Sequence, residues 1–82
     1  MEASELKNLI EKNLKDSVAL VFSDDGIHFE ARVICPTFTG MSKIKQHKLV
    51  YDALGTHFQQ GTVHALSLKT YTPDAYEVIN RG

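Results

Sequence analysis

The sequence predicts an α+β fold in which a three-stranded mixed sheet carries helices on one face. Two observations lead to this prediction. The spacing of apolar residues changes between helical and alternating along the chain, in the order helix, strand, strand, helix, strand, helix. No helical segment separates the first two strands, so they form an antiparallel hairpin, which the third strand joins in parallel through a right-handed helical crossover.

The size and composition of the chain indicate one globular domain spanning residues 1–82. Apolar residues make up 43% of the sequence, and no apolar run approaches the roughly 20 residues that a membrane span needs. The net charge of −1 argues against a general attraction to nucleic acid or to an anionic membrane. The single cysteine, Cys35, excludes an internal disulfide and a cluster held by cysteines of this chain alone, so we expect a cytoplasmic, reducing environment.

The first half of the chain is predicted to form a helix and a β-hairpin. An apolar stripe at helical spacing runs through residues 4–15, and two alternating segments then flank the turn Asp24-Asp25-Gly26. One side of the first strand carries Val18, Leu20 and Phe22. The alternating residues of the second strand are Phe29, Ala31, Val33 and Cys35. Cys35 is therefore expected to pack as a small apolar residue.

The second helix is predicted from Ser42 to Phe58, after a loop that begins at Phe38. Its apolar side is predicted to carry Ile44, His47, Val50, Tyr51, Leu54 and Phe58. Gly55 is a poor helix former, so we expect a break or kink at that position. A half-buried, hydrogen-bonded structural role is expected for His47.

A histidine at the start of the third strand is the first candidate for chemistry. His64 opens an alternating segment that leads to Thr72 as N-cap and Pro73 as the first residue of a final helix ending near Ile79. An imidazole at the mouth of a buried strand stands on a rigid support, which is how a metal ligand is usually held. The alternative is a strand-end histidine hydrogen-bonded to a nearby carbonyl.

Four segments, in chain order, carry a family resemblance. They are Phe38-Thr39-Gly40-Met41-Ser42, Gln46-His47-Lys48-Leu49-Val50-Tyr51, Val63-His64-Ala65-Leu66-Ser67-Leu68-Lys69-Thr70 and Thr72-Pro73. Together they resemble the BolA family over nearly the whole chain, and the short hairpin loop resembles its compact bacterial branch. The sequence departs from the family pattern at Gln46, where arginine is usual, and at Tyr76, where tryptophan is more frequent. Its loop also lacks the extra histidine or cysteine of longer-looped members.

The resemblance implies a fold similar to the class II K-homology domain. It also implies partnership with monothiol glutaredoxins of the Cys-Gly-Phe-Ser type, in which a [2Fe-2S] cluster is shared among glutaredoxin cysteine, glutathione and imidazole from the BolA protein. Alone, the chain would carry no cofactor. We therefore expect a non-catalytic adaptor or regulator in iron–sulfur trafficking or iron sensing. The alternative is a DNA-binding transcriptional regulator of stress response and cell morphology, and the oligomeric state of the chain alone is left open.

Two histidines are the expected metal ligands. His64 matches the histidine of the family's His-Ala-Leu motif, and His28 at the end of the hairpin loop is the second candidate. For His28 to serve, the hairpin end must lie near the start of the third strand. Its alternative role is that of an exposed strand residue beside Phe29. No spacing of serine, histidine and carboxylate, and no phosphate-binding glycine loop, indicates catalysis.

The nucleic-acid alternative rests on the start of the second helix. Its candidate residues are Gly40, Lys43, Lys45 and Lys48. Free N–H groups at a helix start could hold a phosphate. Against this, the lysines do not share one helix face, and the Gly-x-x-Gly clamp of K-homology domains is missing. A solvated helix surface is the simpler explanation of these charges.

Overall fold

The α+β architecture is confirmed in a computed structural model of the protein, which describes residues 2–55 and 65–81. The helices there are α1 (Ala3–Asn13), α2 (Lys43–Leu54) and α3 (Pro73–Arg81), and the strands are β1 (Val18–Phe22), β2 (His28–Ile34) and β3 (Ala65–Tyr71). The sheet has the order β1-β2-β3, with β1 antiparallel and β3 parallel to β2. None of these helices combines the length and the apolar character needed to cross a membrane.

The hydrophobic core lies between one face of the sheet and the helices α1 and α2. Its fully buried members include Leu6, Ile10, Ala19, Phe29, Val33, Cys35, Phe38, Val50 and Leu54. Cys35 packs in this core, as predicted. Phe38 belongs to a single turn of 3-10 helix, Pro36–Phe38, where the sequence predicted a loop. This turn directs the Phe38 ring into the core immediately before α2 begins.

The buried side of α2 differs from the prediction. Ile44 is 84% exposed, whereas Gln46 is only 5% exposed, so the predicted placement of Ile44 on the buried stripe is wrong. Hydrogen bonds turn Gln46 inward, and Ile44 lies about 200° from it around the helix and faces solvent. The helix ends at Leu54, before the predicted end, because Gly55 adopts a left-handed φ of 59°.

The Gln46 amide joins three parts of the fold. Its Nε2 donates to the backbone carbonyl of Met41 at 2.9 Å and to that of Phe38 at 3.3 Å. Its Oε1 accepts a 2.7 Å hydrogen bond from the hydroxyl of Thr70, which is also buried. The 3-10 turn, α2 and β3 are therefore fixed to one another through one neutral side chain.

Side chains from the helices form hydrogen bonds with backbone groups of both outer strands of the sheet. On β1, the Lys7 ammonium donates to the Ala19 carbonyl at 3.1 Å, and the Glu11 carboxylate accepts the Ala19 N–H at 2.9 Å. On β3, the Lys43 ammonium donates to the Thr70 carbonyl. Each helix that covers the core is thereby tied to the strand edge beside it.

The Glu11 contact predicts a pH-dependent stability. The backbone N–H of Ala19, and after it the Lys7 ammonium, hold the pKa of the Glu11 carboxyl below its ordinary value of 4.5. A carboxyl whose pKa is lower in the folded state stabilises the fold above the unfolded-state pKa and loses this contribution as pH falls through the folded-state pKa. We expect the difference in unfolding free energy between wild type and Glu11→Gln to be largest at pH 7 and to shrink below pH 4.5. Urea unfolding at a series of pH values checks this, and a difference that does not change with pH would contradict it.

The last helix contacts the sheet mainly through aromatic rings. The Thr72 hydroxyl accepts the Ala75 N–H at 3.3 Å, which confirms the predicted N-cap. The rings of Tyr76 and Tyr71 lie with their centroids 5.3 Å apart. The helix continues two residues beyond the predicted end, to Arg81, which pairs with Glu77 one turn earlier.

The face of the sheet opposite α1 and α2 is called the open face. By strand alternation its residues include Val18, Leu20, Phe22, His28, Glu30, Arg32, Ile34, Ser67, Lys69 and Tyr71. The three residues that the sequence grouped on one side of β1 all lie here, whereas Ala19 and Val21 contact the core. Val18 is 49% exposed and Phe22 is 63% exposed. The open face therefore presents apolar side chains to solvent.

Candidate metal-ligand site

The hairpin turn before β2 is held by one carboxylate. Oδ1 of Asp25 accepts the backbone N–H groups of Ile27 and His28, each at 2.8 Å. The Ser23 hydroxyl accepts the N–H of Gly26 at 2.9 Å, and Gly26 adopts a φ of 74°, which glycine tolerates without strain. The loop that leads into His28 is therefore fixed by its own short polar side chains.

The same carboxylate orients the His28 imidazole. Oδ2 of Asp25 lies 2.7 Å from Nδ1 of His28. The imidazole, and after it the backbone N–H groups of His28 and Ile27, hold the pKa of the Asp25 carboxyl well below its usual range. An ionised carboxylate only accepts hydrogen bonds, so in the neutral ring Nδ1 carries the proton and Nε2 keeps its lone pair for a metal. The His28 side chain is 72% exposed, so this nitrogen can be reached from outside.

The register of the sheet places His28 beside the start of β3. His28 is paired with Ala65, the residue that follows His64 in the sequence. The hairpin end and the start of the third strand are therefore neighbours, as a ligand role for His28 requires. His64 itself lies outside the described residues, so its ligand role stays a prediction. His57 also lies outside them.

The described residues do not form a complete metal site by themselves. Within residues 2–55 and 65–81, no group of three or more histidine, cysteine, aspartate and glutamate side chains could hold a metal ion. Cys35 is fully buried and its Sγ lies 3.5 Å from the Lys15 carbonyl, so this thiol is occupied in the core. Of the two predicted ligands, the described residues therefore contain one, the exposed imidazole of His28.

The carboxylate partner of His28 was missed in the sequence analysis. The sequence indicated only a role in the turn for Asp24 and Asp25. The spacing of three residues between Asp25 and His28 is nevertheless a usable signal for contact between the carboxylate and the imidazole. A carboxylate that accepts the second ring nitrogen of a histidine is the usual support of a metal-bound imidazole. His47, predicted to be half-buried, is at intermediate exposure on α2.

Lys43, a predicted nucleic-acid contact, is engaged within the fold. Its ammonium donates to the Thr70 carbonyl and lies 5.2 Å from the centroid of the Tyr71 ring. A phosphate would have to compete with both interactions for this charge.

The other predicted nucleic-acid residues lie around the start of α2. Lys45 and Lys48 are exposed. Gly40 precedes the helix with a φ of 79°. The Ser42 hydroxyl accepts the N–H of Lys45 at 3.2 Å, so one of the donors expected to face a phosphate is already capped.

A family model described as a BolA-like protein matches residues 6–75. The chain belongs to the BolA-like family. Among curated BolA-like relatives, it is 34% identical to "Acid stress protein IbaG" of Escherichia coli (strain K12), over 73 residues that cover 89% of this chain and 86% of that protein.

Solved structures of BolA-like proteins share the fold. A bolA protein homologue from Coxiella burnetii has a TM-score of 0.84 and 51% identity, covering 94% of this chain and 97% of that one. The BolA domain of SufE1 from Arabidopsis thaliana has a TM-score of 0.68 and 30% identity, covering 88% and 92%. The BolA fold that the sequence motifs implied is therefore shown.

Proposed function

We propose that this BolA-like chain is a non-catalytic adaptor in iron–sulfur trafficking or iron sensing. It would lend imidazole from His28 and His64 to a [2Fe-2S] cluster shared with a monothiol glutaredoxin of the Cys-Gly-Phe-Ser type and with glutathione. The setting that we propose is the cytoplasm, where a single buried cysteine stays reduced. One relative is named an acid stress protein, and we propose a role in stress response for this chain as well.

The orientation of His28 is the observation that carries the proposal. Asp25 binds Nδ1 and leaves Nε2 on an exposed ring, and the ring stands at the strand end that adjoins the start of β3. One oxygen of Asp25 holds the turn, and the other fixes the tautomer of the ring. The two conditions for a ligand, a free nitrogen and a fixed ring, are thus met together.

Each residue of the site has a distinct task. His28 and His64 would donate nitrogen lone pairs, and Asp25 would keep the His28 ring in the correct tautomer. Imidazole in place of thiolate raises the reduction potential of a [2Fe-2S] group. The hydrophobic core between the sheet and the helices α1 and α2 holds the hairpin end in position. No proton transfer or bond cleavage is assigned to any residue.

The experiment is to mix the protein with a cluster-loaded monothiol glutaredoxin and record visible absorption and circular dichroism. Addition of wild type should change the spectrum of the glutaredoxin cluster. The mixture with His28→Ala should differ from the mixture with wild type, because one nitrogen ligand is lost. Asp25→Asn keeps a turn-forming side chain but weakens the hydrogen bond that orients the His28 ring. We therefore expect that about tenfold more of this variant is needed to produce the wild-type spectral change.

His47→Gln is the matched control, since this histidine lies on α2 at intermediate exposure. It should reproduce the wild-type spectrum. If His28→Ala and His64→Ala both leave the mixed spectrum identical to that of wild type, the ligand assignment is wrong.

The nucleic-acid alternative remains a separate prediction. It requires DNA or RNA affinity that falls steeply with added salt, because bound phosphates release counterions. Loss of Lys45 and Lys48 together should then weaken binding, whereas affinity indifferent to salt would contradict the idea. The engagement of Lys43 with Thr70 and Tyr71 makes this the weaker of the two candidates.

A further inference from the structure

The open face carries two like charges side by side. Arg32 of β2 is in register with Lys69 of β3, and both side chains belong to the open face. Like charges directly opposite one another destabilise a sheet. Among the described residues, neither cation forms an ion pair. Glu30 lies on the same face, two residues from Arg32, but forms an ion pair with neither cation among the described residues. A further anion placed between the two cations would therefore relieve their repulsion.

A shallow cavity lies at this pair. Its volume is about 160 Å³, and its lining includes Phe22, Glu30, Arg32, Ser67 and Lys69. The space suits one carboxylate-bearing side chain, with two cations and a hydroxyl as its partners. The exposed Phe22 ring forms an apolar wall beside it.

Apolar residues flank the charged pair along β1. Leu20 is in register with Arg32, and Val18 and Phe22 lie on either side of it on the same face. The surface is therefore an apolar strip on the outer strand with two cations beside it. Such a combination favours a protein partner with an acidic, partly apolar surface. A nucleic-acid backbone fits less well, because it needs a cation for each of several successive phosphates, whereas this cavity offers two cations beside an apolar strip. Glu30 opposes either kind of anion.

The open face is continuous with the candidate ligand site. His28 and Arg32 lie on the same face of the same strand, four residues or about 13 Å apart. A protein that contributes ligands to a cluster at His28 would extend over this face.

We propose that the open face docks an acidic surface of the partner protein. One partner carboxylate would bind between Arg32 and Lys69, and apolar partner side chains would cover Val18 and Phe22. The inference rests on the proposed function, because it takes the cluster-sharing glutaredoxin as the partner.

The test measures the dissociation constant for a monothiol glutaredoxin, in its cluster-loaded and cluster-free forms, by calorimetry and by amide chemical shifts. The double variant Arg32→Glu with Lys69→Glu should weaken binding at least about tenfold, through charge reversal at the contact. At saturating concentration it should still give the wild-type mixed spectrum, because His28 is intact. Glu30→Gln should tighten binding, and added salt should weaken wild-type binding more than that of the double variant.

The matched control reverses the same number of charges elsewhere. Lys12 lies in the last turn of α1, the helix on the opposite face of the sheet, and Lys15 lies two residues beyond its end; both are exposed. Lys12→Glu with Lys15→Glu should leave the dissociation constant within about twofold of wild type, apart from the general effect of net charge.

The outcomes separate the two proposals. Unchanged affinity in the Arg32 and Lys69 double variant overturns the docking surface even if His28→Ala alters the cluster spectrum. If no cluster is shared, shifts of open-face amides with cluster-free glutaredoxin still support docking, and shifts confined to other surfaces, or none, overturn it. If the double variant loses affinity for a single-stranded oligonucleotide but not for glutaredoxin, the face binds nucleic acid and the proposal is wrong.

Discussion

Replacing Gln46 with alanine should lower the free energy of unfolding by about 3 kcal/mol, through unpaired buried groups and a small cavity. The variant leaves the Met41 carbonyl and the Thr70 hydroxyl without their amide partner. The Phe38 carbonyl is affected less, because it also accepts the Met41 N–H at 3.0 Å. Urea denaturation followed by far-ultraviolet circular dichroism measures the change.

Two further variants separate the hydrogen bonds from simple loss of volume. Thr70→Val keeps the shape of the side chain but leaves the Gln46 carbonyl oxygen unpaired, and should cost about 1–2 kcal/mol. Gln46→Leu combined with Thr70→Val should cost less than the sum of the single changes, because both partners of one bond are removed. Asn8→Ala, an exposed amide on α1, should cost nothing measurable. Strict additivity of the Gln46 and Thr70 variants would contradict the network.

Phe38→Ala should be the most destabilising of the single changes considered, at about 4 kcal/mol. The ring is fully buried, and its removal leaves a cavity in the core. A small domain has a total stability of roughly 5–15 kcal/mol, so this loss removes at least about a quarter of it and we expect a clearly lower melting temperature than that of wild type. A thermal melt followed by circular dichroism checks the prediction.

Phe22→Ala is the matched control for Phe38→Ala. It removes the same ring from the open face, where Phe22 is 63% exposed, and should cost less than about 1 kcal/mol. Equal destabilisation by the two changes would mean that the 3-10 turn does not anchor the ring in the core. The control also shows whether the proposed docking surface can be altered without loss of fold.

The order of the elements was predictable because it depends on periodicity, turn residues and caps that act locally. The alternation of β2, the capping of α3 by Thr72 and the break at Gly55 all follow from such signals. The buried face of α2 was not predictable in the same way. Apolar character alone favoured Ile44, whereas Gln46 turns inward through hydrogen bonds with the Phe38 and Met41 carbonyls and with the distant Thr70 hydroxyl.

The candidate site was predictable in its residues but not in its support. His28 could be selected from its place at the hairpin end, and the parallel register then placed it opposite Ala65. The role of Asp25 depended on the three-dimensional course of the turn, which brings one carboxylate onto two N–H groups and a ring nitrogen. The pairing of Arg32 with Lys69 likewise required the strand register, which the spacing of the sequence does not give.

The lysine contacts at the two outer strands have a consequence for how this protein meets other molecules. An edge strand with unpaired backbone groups can pair with a strand of a second chain, which leads to aggregation. Here Lys7 and Glu11 hydrogen-bond to the backbone of Ala19 on one edge strand, and Lys43 hydrogen-bonds to the backbone carbonyl of Thr70 on the other. Pairing of a further strand is obstructed at both of these points. A partner protein is therefore expected to bind a face of the sheet and not its edges.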